Sequence, residues 1–149
     1  MTLSRPEKPS SVLLVDDSFL MRKLLAEIIS RDPDICLAGE ASDGLEGLDK
    51  LSQLLPDVVL LDMEMPRLDG IGFLERARFV CTARIIVVSS VAMLGTETAR
   101  RAMELGAYAI VGKPSGVLSM DMAEERGQEL LDAIHGSMPS AHREGRTTQ

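Results

Sequence analysis

Tryptophan is missing from this 149-residue sequence, and three Phe and one Tyr hold aromatics to 3%. Little ring surface is left on which nucleic-acid bases could stack. Basic blocks are missing too: 16 Lys and Arg face 23 Asp and Glu, a formal charge of −7. A chain of that sign is repelled by a phosphate backbone, which excludes nucleic acid as the main partner. Long apolar runs are also lacking. Stretches such as 58–61 and 85–88 stop at four residues, far short of the roughly 20 that span a bilayer. Residues 1–10 carry no apolar segment of the kind an export signal needs. The two cysteines, Cys36 and Cys81, have neither CxxC spacing nor a neighbouring histidine, so no disulfide framework or zinc site is suggested. These absences point to a soluble protein of the reducing cytoplasm, with no membrane insertion.

What is present is an alternation. The length suits one domain with a real core. Short β-branched and leucine-rich runs at 11–15, 35–39, 58–61, 85–88 and 108–111 read as five strands of a parallel sheet covered on both faces. Amphipathic stretches lie between them. Met21, Leu24, Leu25, Ile28 and Ile29 follow Ser18, a candidate N-cap. Leu45, Leu48, Leu51 and Leu55 mark a second helix that stops before Pro56, and Ile71, Leu74 and Phe79 mark a short third one. A fourth is expected over 96–105, with Gly106 as a left-handed cap. The last, over 122–135, buries Leu130, Leu131 and Ile134. The expected organisation is a disordered tail over 1–10, a domain over 11–135, and a polar tail or interdomain linker over 136–149. His135 and His142 are expected to be solvated in or near that tail.

In an open parallel sheet, ligands bind beyond the carboxyl ends of the strands. The residues just past the expected strands are Asp16 and Asp17, then Asp62, then Ser89 and Ser90, then Lys113 with Pro114. Each has an ordinary explanation alone, as a helix cap, a turn or a satisfied hydroxyl. Together they bring carboxylates and a lysine to one edge. Two unit charges 4 Å apart repel by about 4 kcal/mol at an effective dielectric of 20, so something positive must compensate. Mg²⁺ fits, because it takes oxygen ligands and keeps one or two carboxylates with a phosphate oxygen. A carboxylate there can attack phosphorus and form an aspartyl phosphate, with the lysine neutralising the transferring oxygens. Asp62, on the central strand, is the natural acceptor.

This set, in this order, resembles the receiver domain of two-component response regulators over most of the chain. The resemblance implies an α/β, CheY-like (flavodoxin-like) doubly wound five-stranded parallel sheet, strand order 2-1-3-4-5, with helices on both faces. It implies that Asp16 and Asp17 are the acidic pair of the metal site, that Asp62 is phosphorylated, and that the backbone carbonyl of Glu64 completes the metal ligands. Ser89 then corresponds to the hydroxyl that moves onto the phosphoryl group, and Lys113 to the lysine that pairs with it. Pro114 corresponds to a residue whose preceding bond is cis, and Met65, Pro66, Asp69 and Gly70 to the turn after the acceptor. The stretches DMEMPRLDG over 62–70, VSSV over 88–91 and GKPSG over 112–116 are closer to the receiver of chemotaxis protein-glutamate methylesterases (CheB). That family carries a further esterase domain, which this sequence does not contain. The implied partners are a CheA-like histidine kinase as phosphodonor and an output domain or partner protein at the helix 4, strand 5, helix 5 face.

One position departs from the family. Ile110 stands where many receivers carry an aromatic switch residue, and Tyr108, two earlier, reads as a strand-edge aromatic. The remaining expectation is that Ser89 moves toward the phosphate and shifts the loop 91–95 with the neighbouring helix. Rival readings are a stand-alone CheY-like regulator, a degenerate receiver that only binds partners, a truncated methylesterase, and a small Mg²⁺-dependent phosphatase. The phosphatase would use Glu64 as acid and base, although its nucleophile belongs after the first strand and not the third.

Overall fold

A computed structural model of the chain describes residues 8–114 and 120–138. The elements alternate: β1 (Ser10–Val15), α1 (Phe19–Ser30), β2 (Ile35–Ala41), α2 (Gly44–Leu54), β3 (Val58–Leu61), α3 (Gly70–Ala77), β4 (Arg84–Ser89), α4 (Glu97–Glu104), β5 (Ala109–Gly112) and α5 (Met120–Ser137), with a 3-10 turn at Val91–Met93 after β4. The strands are all parallel, in the order β2-β1-β3-β4-β5. The expected sheet is therefore present, and β3 is its central strand.

The strands read as continuous apolar runs because each face has its own core. Side chains alternate across a strand. Leu13, Val15, Val59, Leu61, Ile85 and Val87 pack with Leu51, Phe73, Leu74 and Ala102 from α2, α3 and α4. Val12, Leu14, Val58, Leu60, Ile86 and Val88 pack with Leu25, Ile28, Ile29, Leu130 and Ile134 from α1 and α5. Chain order thus delivers the end of every strand to one rim, with a rigid layer on each side of it.

Ser18 caps α1 by accepting from the Met21 N–H, and Gly106 takes the left-handed backbone expected of it, φ 106. Other expectations need correction. Leu45 and Leu55 are 46% and 69% exposed. The buried face of α2 is formed by Gly44, Gly47 and Leu51. A Cβ on Gly47 would lie 2.9 Å from Val15 Cγ1 and 3.0 Å from the Phe73 ring, so glycines let this helix sit close, with Leu51 and Leu48 on the core and Leu45 and Leu55 turned outward. Phe79 falls beyond the end of α3 and is 81% exposed; Phe73 is the buried aromatic.

No peptide bond among the described residues is cis, the Lys113–Pro114 bond included. The two isomers of a bond to proline differ by about 0.5–1 kcal/mol in favour of trans. His135 is not solvated. Its Nε2 lies 2.6 Å from Asp32 Oδ2, because α5 continues to Ser137 and carries the ring onto the turn between α1 and β2. Met138 is buried beyond it, and at the other end Ser10 already belongs to β1. His142 and the rest of the expected tails, 1–7 and 139–149, lie outside the described residues. Among the described residues, no helix is long and apolar enough to cross a membrane.

Candidate functional site

Asp16 follows β1, and its N–H is held by the Ala41 carbonyl at 3.0 Å. Asp62 follows β3, its N–H held by the Val15 carbonyl at 2.9 Å. Lys113 follows β5, its N–H donating to the Ser89 carbonyl at 2.8 Å. Each side chain is thus aimed by the first backbone hydrogen bond past a strand. Carboxylate oxygens of Asp16, Asp17 and Asp62 come within 4.8 Å of one another. Asp16 and Asp62 are buried and Asp17 is exposed at the rim. Lys113 Nζ lies 3.2 Å from Asp62 Oδ1 and 3.8 Å from Asp16 Oδ2.

The charges do not balance. Burial, and then the neighbouring Asp16 carboxylate, push Asp62 up to about 6, against the pull of Lys113. Burial also raises Asp16, opposed by the Ser18 N–H and Lys113. Asp16 Oδ1 accepts from the Ser18 N–H at 2.8 Å, whereas its Oδ2 is buried without a hydrogen-bond donor. Leaving a buried carboxylate oxygen undonated is costly. Oxygen-only donors, an orphaned oxygen and surplus negative charge together fit a hard divalent cation.

Two of the sequence-predicted residues sit differently from the rest. The Ser89 hydroxyl is buried and donates to the Ser90 carbonyl at 3.3 Å. The Glu64 side chain is exposed, and its N–H reaches Asp62 Oδ1 at 3.4 Å. Arginines that sequence reasoning missed stiffen the rim. Arg22 donates to the Asp16 carbonyl at 2.7 Å and pairs with Glu40 at 2.9 Å. Arg126 donates to the Lys113 carbonyl at 3.2 Å. Arg67 pairs with Asp43, the N-cap of α2. Their only signal in the sequence is position: Arg22 lies one helical turn past the cap of α1, where it points back to the strand end.

A doubly wound sheet with an acidic pair, a central-strand aspartate and a lysine at its carboxyl rim defines a phosphoacceptor-type signalling fold. A family model described as the response regulator receiver domain matches residues 12–123, and the chain belongs to that family. Within it, the chain is similar to methylesterase receivers. It is 47% identical over 139 residues to the protein-glutamate methylesterase/protein-glutamine glutaminase of Symbiobacterium thermophilum, covering 93% of this chain and 38% of that protein. The protein of the same description from Bdellovibrio bacteriovorus is 52% identical over 104 residues, 70% of this chain and 29% of its own length. The chain therefore spans well under half the length of these relatives. Among solved structures, the response regulator domain of Thermotoga maritima CheB superposes with a TM-score of 0.78 at 38% identity, covering 87% of this chain and 96% of that one. A complex of the CheA3 P1 domain with CheY6 from R. sphaeroides gives a TM-score of 0.69 at 39% identity, covering 85% and 98%.

Proposed function

We propose that this chain accepts a phosphoryl group on Asp62 from a CheA-like histidine kinase in the cytoplasm, in a Mg²⁺-dependent reaction. One observation carries the reading: a buried carboxylate pair that Lys113 compensates only in part, its Nζ 3.2 Å from the proposed acceptor and 3.8 Å from Asp16. An Asp62 oxygen forms the bond to phosphorus while the bond between phosphorus and the donor imidazole breaks, and the electron pair stays on the imidazole nitrogen. Lys113 meets the charge that develops on the phosphoryl oxygens. Asp16, Asp17, Asp62 and the Glu64 carbonyl would hold Mg²⁺, which supplies further neutralisation of those oxygens when bound. The similarity to a receiver solved with a CheA3 P1 domain supports the choice of donor.

The output side of the proposal lies on α4 and β5. Val91 and Leu94 just before α4, Met103 within it and Tyr108 just before β5 expose 57%, 40%, 45% and 44% of their surface, which offers apolar contacts to an output domain or partner protein. The likeness to methylesterases makes a glutamate methylesterase domain the favoured output. The phosphatase reading finds no support, because Glu64 is exposed and the proposed nucleophile follows the third strand.

The test incubates the chain with Mg²⁺ and acetyl phosphate and measures intact mass. One phosphoryl adduct is expected, lost with chelator and lost in Asp62→Asn. An adduct of unchanged yield on the variant moves the acceptor elsewhere, and none on the wild type favours a degenerate receiver.

A further inference from the structure

The loop after the acceptor, residues 62–70, is fastened at more than one point. At its far end stands Gly70, where a Cβ would come within 2.6 Å of Met63 Sδ, 2.7 Å of Met63 Cα and 3.0 Å of the Asp62 carbonyl oxygen. The Gly70 N–H donates to the Met63 carbonyl at 3.0 Å, closing the loop on itself. In the middle, Arg67 takes a left-handed backbone, φ 66, which L side chains of its length seldom adopt. Its guanidinium pairs with Asp43, whose carboxylate is only 4% exposed and also caps α2 by accepting from the Glu46 N–H at 2.9 Å. The next residue, Leu68, puts its carbonyl oxygen 2.2 Å from where a Gly44 Cβ would sit. The loop therefore rests directly on the N-terminus of α2.

Apolar burial does not explain Arg67, because its side chain is 65% exposed. The pair with a buried carboxylate does. The geometry points to Arg67 as a positioning residue for the acceptor: through Asp43 it fastens the 62–70 loop to α2, and so holds the Asp62 carboxylate and the Glu64 backbone where a divalent cation is received. This rests on the reading of the site as a Mg²⁺-dependent phosphoacceptor and adds a residue to it. Without the pair, the left-handed backbone at residue 67 is held by the Leu68 N–H bond to the Pro66 carbonyl at 2.7 Å and by the loop closure alone. The loop then samples more conformations, and cation binding has to order it. Arg67 touches neither the acceptor nor the metal ligands; it acts through the freedom of the segment that carries them.

The experiment measures Mg²⁺ affinity by titration calorimetry and amide hydrogen exchange over residues 63–69, neither of which needs phosphotransfer. Groups that orient metal ligands typically cost about 10–100-fold in affinity when removed, and an exposed arginine belongs at the low end. Arg67→Ala and Asp43→Asn are each expected to weaken Mg²⁺ binding about three- to tenfold and to speed exchange in the loop. Asparagine still caps a helix, so Asp43→Asn keeps α2 and removes only the charge. The double variant is expected to be no weaker than either single one, because both break the same contact. Arg67→Lys recovers part of the affinity. Arg67→Gly relieves the backbone but lacks the pair, so it weakens binding as alanine does; wild-type affinity in the glycine variant overturns the inference. So does Arg67→Ala with affinity within about twofold of wild type and unchanged exchange. A wild type that binds Mg²⁺ but takes no phosphoryl group defeats the phosphoacceptor reading, while the same affinities still decide the role of Arg67.

Discussion

Asp62 is a carboxylate that the fold makes uncomfortable. Its ordinary value of 3.8 rises to about 6, first through burial and then through Asp16. Between those two values the folded domain keeps a proton that the unfolded chain has released, so the free energy of unfolding falls as pH rises across that window. A displacement of about two units corresponds to on the order of 2–3 kcal/mol. In chelator, Asp62→Asn is therefore expected to be more stable than wild type at neutral pH by about 1–2 kcal/mol. The difference should shrink toward nothing near pH 4, where the wild-type carboxyl is protonated as well. Urea unfolding at the two pH values checks this, and an unchanged difference refutes it. Asp16, Asp17, Asp62 and Lys113 were legible in the sequence because strand ends announce themselves through the apolar runs before them. Arg22, Arg67 and Arg126 were not, since a long side chain reaches its partner through space and leaves no mark on local periodicity.

The helices teach the same lesson one level up. The five strands and five helices were visible in the sequence, the 3-10 turn at Val91–Met93 was not, and half of the α2 stripe was misplaced, because Gly44 and Gly47 share its contact surface with Leu51 and hydropathy gives glycine no weight. Gly44→Ala is expected to destabilise the domain by about 1–3 kcal/mol, as a Cβ there meets the Leu68 carbonyl and the backbone must shift. Leu55 ends the same helix in a left-handed conformation, φ 48, with 69% of its surface exposed. Such a conformation costs an L residue roughly 1–2 kcal/mol, while this side chain buries little in return. Leu55→Gly should therefore raise stability by about 0.5–1 kcal/mol, part of the gain being lost to the freer unfolded chain. Thermal or urea melts of the two variants move in opposite directions on this account. A destabilised Leu55→Gly would mean that the exposed leucine packs more than its surface suggests.

Across the whole molecule, the proposed acceptor and the proposed output surface are joined by one strand. β4 ends at Ser89, whose hydroxyl donates to the Ser90 carbonyl, and the chain runs on through the Val91–Met93 turn to Gly95, φ 81, and then α4. A Cβ on Gly95 would meet nothing within 4 Å, so at that point the connection is packed against neither core. Phosphate at Asp62 would offer Ser89 a charged acceptor in place of a neutral carbonyl, and charge-assisted hydrogen bonds are roughly twice as strong. Carrying the surface from 1% to 99% in the active arrangement takes about 5.5 kcal/mol of preference. One hydroxyl does not supply that much, so Lys113 has to contribute with it. Ile110, half-buried against the core of α2, α3 and α4, leaves no aromatic swing at that position to assist. Tyr108 is tied instead to the Gly136 carbonyl at 2.8 Å, near the end of α5. With Mg²⁺ and beryllium fluoride as the phosphoryl mimic, amide resonances of residues 89–105 are expected to move together in the wild type. Ser89→Ala should bind the mimic with similar affinity yet leave those resonances largely in place. Mimic bound at Asp62 with α4 unmoved in the wild type would cut the proposed connection between the phosphate and the surface.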